Sequence, residues 1–116
     1  MESYRVRVAY DRELADRIRT LVSGEPITEK TMFGGLAFML NGNMSVSASG
    51  QGGLLARVDP ALTDAMLTEP GAEPFEMGGR GAMVGWIRVD PAVLDDETLA
   101  RWVGRGLTYA RSLPPK

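Results

Sequence analysis

The chain has 116 residues with a formal charge of −2, 44% hydrophobic and 24% charged, which are globular proportions for a single domain. It contains no cysteine and no histidine. Those two zeros exclude a disulfide framework, a thiolate nucleophile, Cys- or His-based metal sites and the usual general base at neutral pH. Eleven of the thirteen basic residues are arginine, since only Lys30 and Lys116 are lysines. The small negative balance argues against broad nucleic-acid binding, which depends on neutralising phosphates.

From the N-terminus, Arg5 and Arg7 alternate with Tyr4, Val6 and Val8, and residues 1–9 are read as a flexible arm. No apolar h-region follows, and no run reaches the roughly 18 apolar residues of a membrane span, so the expectation is a cytoplasmic protein. Leu14, Ile18, Leu21 and Val22 recur at helical spacing and predict a helix from Asp11 to Val22, with Asp11 as N-cap and Ser23-Gly24 then Pro26 as the stop.

Strands are expected near Thr31–Phe33 running into Leu36–Leu40, then Met44–Ser49, then Leu54–Val58. Gly34-Gly35 is read as a bulge or kink within the first of these. Asn41-Gly42 supplies the two positive-φ residues of a tight hairpin turn. An unbroken ladder from that turn sets Met39 against Met44, Phe38 against Ser45, Ala37 against Val46 and Leu36 against Ser47. Ala37, Met39, Met44, Val46 and Ala48 then form the floor for helices. Leu36, Phe38 and Leu40 share the other face with serines, which makes them the candidate interaction face.

Asp59-Pro60 opens a second helix, with Leu62, Ala65 and Met66 as its buried side and Pro70-Gly71 as its end. After the Gly78–Gly81 loop a strand spans about Met83–Val89. Within that loop Gly79, Arg80 and Gly81 are the candidate ligand-binding residues, because glycine amides and a guanidinium suit an anion. The last helix, Asp96 to Leu113, carries a stripe of Leu99, Trp102, Val103, Leu107, Ala110 and Leu113. Asp95, Asp96 and Glu97 read as capping residues rather than a metal cluster. Arg101, Arg105 and Arg111 read as a solvated face, with Glu97 one turn from Arg101. Trp86 and Trp102 read as core or interface anchors. Arg57-Val58-Asp59-Pro60-Ala61 returns as Arg88-Val89-Asp90-Pro91-Ala92, which is read as one strand-to-helix junction chosen twice.

The predicted order is α-β-β-β-α-β(β)-α: an α+β fold, its mainly antiparallel sheet of 4–6 strands packed by helices on one face. The run Met32-Phe33-Gly34-Gly35-Leu36-Ala37-Phe38-Met39 with Asn41-Gly42-Asn43-Met44 resembles the N-terminal domain of the TfoX/Sxy family. So do the Tyr10-Asp11 helix start, Glu69-Pro70-Gly71-Ala72 with Pro74, Gly85-Trp86 and the closing Ala110-Arg111-Ser112-Leu113-Pro114. Longer members follow this domain with a C-terminal helical one and regulate natural-competence genes; this sequence is read as the first domain standing alone. Many relatives carry cysteines after Asn-Gly-Asn-Met, where this chain has Ser45 and Val46. The resemblance implies a noncatalytic regulatory or protein-interaction domain without cofactor, metal or catalytic residues. Its expected partner is a protein, with a second copy and the transcription machinery as candidates. The alternative is an anion- or small-molecule-binding domain built on Arg80.

Overall fold

A computed structural model describes residues 10–32, 34–76 and 81–116. The expected arm at residues 1–9, and Gly79 and Arg80 of the candidate ligand loop, lie outside the described residues. The order is α1 (Arg12–Leu21), β1 (Ile27–Met32), β2 (Gly35–Leu40), β3 (Asn43–Ala48), β4 (Leu54–Arg57), α2 (Thr63–Met66), β5 (Ala72–Glu76), β6 (Ala82–Val89) and α3 (Asp96–Ser112). The six strands form one antiparallel sheet in the order β1-β2-β3-β4-β6-β5, giving an α+β fold.

Side-chain caps set the helix boundaries. The Asp11 carboxylate accepts from the amides of Glu13 and Leu14 at the start of α1. Asp59 and Asp90 each accept from the amide two residues on and open a short 3₁₀ turn with proline first, so the duplicated pentapeptide is the same junction built twice. Asp95 caps α3 by accepting from the Thr98 amide at 2.8 Å. That bond, first among its causes, holds the Asp95 carboxyl below its ordinary range. A lowered folded-state pKa stabilises the fold fully above the unfolded value and is lost as pH falls through the folded one. Asp95→Asn keeps a capping oxygen but does not titrate. Thermal melts should therefore show wild type and variant furthest apart near neutrality and converging below about pH 4; a gap that widens on acidification would contradict this assignment.

The segment read as one kinked strand is two. Gly34, at φ 76°, turns the chain back so that Met32 faces Gly35 and β1 pairs with β2 along its whole length. Asn41 and Gly42, at φ 56° and 81°, make the expected tight turn into β3. The register begins as expected, Met39 opposite Met44, but then slips by one: Phe38 faces Val46, Ala37 faces Ser47 and Leu36 faces Ala48. Ser45 is the extra residue of a β-bulge, and its hydroxyl donates to the Phe38 carbonyl at 2.7 Å.

That single insertion moves the β3 residues beyond Ser45 to the opposite face relative to β2. Leu36, Phe38 and Leu40 join Val46 and Ala48 beneath the helices in the main core with Ile18, Leu99, Trp102 and Val103. Phe38 is fully buried. The expectation of an exposed interaction face at Leu36, Phe38 and Leu40 is therefore wrong: the bulge puts Val46 and Ala48 beside them in place of serines, and this wholly apolar face packs beneath the helices. Ala37, Met39 and Met44, expected as the helix floor, lie on the opposite face with Leu55, Phe75, Met83 and Trp86. Both edge strands contribute to that second cluster, β1 through Met32 and β5 through Phe75. Met32 of β1 and Phe75 of β5 line one void of about 20 Å³, room for about one water.

The second helix also departs from expectation. Its first residues are the 3₁₀ turn Pro60–Leu62, which rotates Leu62 outward, and Ala65 is exposed as well. Thr63 is the buried residue, its hydroxyl accepting from the Gly85 amide at 2.9 Å. Among the described residues, no helix is long and apolar enough to cross a membrane.

Candidate functional site

Once the sheet face is closed by helices, the surface concavity with exposed apolar walls lies elsewhere. α3 buries Leu99, Trp102, Val103, Gly106, Leu107 and Ala110 against the sheet. Its far side carries Arg101, Gly104, Arg105, Thr108 and Ser112, at spacings of three and four that align them along about three turns. Beside that side stands the Pro60–Met66 segment, and between them runs an open groove of about 480 Å³ walled by Val58, Leu62 and Met66. Leu62 is 47% exposed there.

Arginines edge the groove. Arg105 forks onto Glu69, with nitrogen–oxygen distances of 2.8 and 3.0 Å, while Arg101 reaches the same carboxylate at 3.8 Å. The expected partner of Arg101 was Glu97; the chain instead brings Glu69 over from the segment before β5. Arg105 also lies over the buried Trp102 ring, 4.6 Å from its centroid. Tyr109 of the groove and Trp86 hold Arg57 between them, at 5.6 and 5.3 Å from the two centroids. Arg111 pairs with Glu25 at 2.9 Å, which ties α3 to the segment after α1. Arg17 adds a second tie, donating to the Leu94 carbonyl at 2.7 Å.

Of the candidate ligand residues, only Gly81 is described. It is exposed at φ 80° with open space where a Cβ would stand. The groove itself was missed at the level of sequence because Leu62 was assigned to the core; Met66 does pack against the core and shows only part of its side chain to the groove. The signal that pointed to it was Gly104, a glycine inside a long helix at a position outside the apolar stripe.

The fold defines a class, a small α+β domain with one antiparallel sheet and helices packed on one of its faces. The chain belongs to the TfoX N-terminal domain family, whose model matches residues 19–110. No curated protein and no solved structure matches it.

Proposed function

We propose that this domain is a noncatalytic regulatory module that works by binding another protein, and that the groove between α2 and α3 is where it does so. The observation that carries this reading is the groove's composition: apolar walls at Leu62 and Met66, a glycine floor and a charged rim, on a domain lacking histidine and cysteine. Exposed apolar concavities with polar rims are the usual form of a protein-binding surface. Each of Arg101, Arg105 and Arg111 is already near a carboxylate, which favours this reading over a phosphate-binding stripe.

Leu62→Glu tests it. Leu62 is outside the core, so the variant should keep its fold, and quantitative affinity capture from the native cell should lose at least one protein partner retained by wild type. Equal capture by the two proteins would remove the groove from consideration.

A further inference from the structure

The edge of a sheet offers unpaired amides and carbonyls to any second strand, so its side chains decide whether two copies can join there. This sheet ends in β1 on one side and β5 on the other, and among the described residues neither has an outer partner. β5 is blunted by its backbone: Pro74 has no amide to donate, and the ladder loses register between Pro74 and Glu76. β1 has neither defence. It pairs with β2 residue for residue from Ile27 to Met32, without proline or bulge. We infer that Lys30 is the residue that closes this edge to a second copy of the domain, because edge-to-edge pairing sets Lys30 against itself.

Symmetry fixes the geometry. Two copies joined through β1 form an antiparallel pair about a two-fold axis normal to the sheet. Residues directly opposite share a face, and alternation along β1 is unbroken. One residue must therefore lie on the axis and face its own copy. The longest such ladders centre on Glu29, pairing residues 27–31, or on Lys30, pairing residues 28–32. In the first, two Glu29 carboxylates meet. Arg19 already forks onto Glu29 at 2.6 and 2.9 Å and holds Asp16 with its third nitrogen, so it has no donor set left to reach across the axis. In the second, two Lys30 ammoniums meet. Lys30 is exposed on the face of Ala37, away from the helices, and no carboxylate pairs with it among the described residues. Its neighbours on that face of β1, Thr28 and Met32, carry no charge to offset it. Opposed side chains in such a ladder stand about 5 Å apart at Cβ, where like charges repel. The backbone of β1 is open to a strand, and its side chains close it to itself.

Charge reversal at one position tests this. Lys30 is exposed, so its variants should keep the fold. Wild type and Lys30→Glu each set like against like, and each should sediment as a monomer. Their equimolar mixture sets ammonium against carboxylate. It should associate at least about tenfold more tightly than either protein alone, a gap that narrows with added salt. With one component isotope-labelled, mixing should shift the amide resonances of residues 27–32. Lys30→Val removes the repulsion without adding attraction, and should self-associate more tightly than wild type through the same residues. A mixture no tighter than its components, shifts mapped to other residues, or a Lys30→Val variant as monomeric as wild type would each overturn the inference. So would a wild type already dimeric through residues 27–32.

Discussion

Replacing Trp102 by alanine is expected to remove about 3–5 kcal/mol of stability, the largest loss from truncating any one side chain here. A domain of this size has about 5–15 kcal/mol in total, so the variant should sit near the edge of folding. Trp102 is fully buried in the main core with Phe38, Ile18 and Leu99, and it carries Arg105 on its ring. Alanine would open a cavity between α3 and the sheet and also unseat one rim of the groove. A second substitution separates volume from polarity. The Trp102 indole Nε1 is buried without a hydrogen-bond partner, and such an unmet donor carries a penalty of about 1–3 kcal/mol. Trp102→Phe removes that donor while refilling most of the space, so its cost should stay below about 1.5 kcal/mol. Urea melts followed by circular dichroism would measure both. A Phe variant as damaged as the Ala variant would mean that the indole nitrogen is satisfied in solution.

The parts of this fold that were legible in the sequence are those with a local chemical cause. Asp11, and Asp95 within its acidic run, marked their helix starts because a carboxylate at that place satisfies the first free amides. Asn41-Gly42 marked its turn because few residue pairs tolerate two positive φ values. The apolar stripe of α3 was legible because its burial follows one unbroken helical period. The face of the β2–β3 hairpin was not, because strand alternation is a parity count and Ser45 changes the count by one. Nothing in the residues around Ser45 marks the bulge locally. A global criterion would have found it: only the bulged register gathers Leu36, Phe38, Leu40, Val46 and Ala48 on one side and leaves the serine ladder off it. The groove was illegible for a related reason. Leu62 fits a helical core position if Pro60 begins an α-helix, and it points outward because the first turn is 3₁₀. Whether a segment starts with three or four residues per hydrogen-bonded turn is settled by how it packs on β6, not by its own residues.

The same dependence on packing gives Gly104 and Gly106 opposite roles, although they are two residues apart on one helix. Alanine at either place gains helix propensity of roughly 1 kcal/mol, so any difference between them reports what surrounds each site. At Gly106 a Cβ would stand 2.4 Å from the Ser45 carbonyl oxygen and 2.7 Å from Cγ1 of Val46. The first of these is backbone, held in the bulge opposite Phe38, and cannot swing aside. α3 would have to lift off β3, its most extensive contact with the sheet, and open the core over Trp102. Overpacking of this kind costs about 1–3 kcal/mol at alanine even after some relaxation, and more with each added carbon, so Gly106→Val should fail to give a cooperative melt. At Gly104 the same methyl meets nothing, and Gly104→Ala should raise stability by about 0.5–1 kcal/mol. Chemical denaturation of the two alanine variants should thus move the midpoint in opposite directions. If both moved upward, α3 would not rest on the Ser45 carbonyl, and the bulged register that places Phe38 beneath the helix would lose its support.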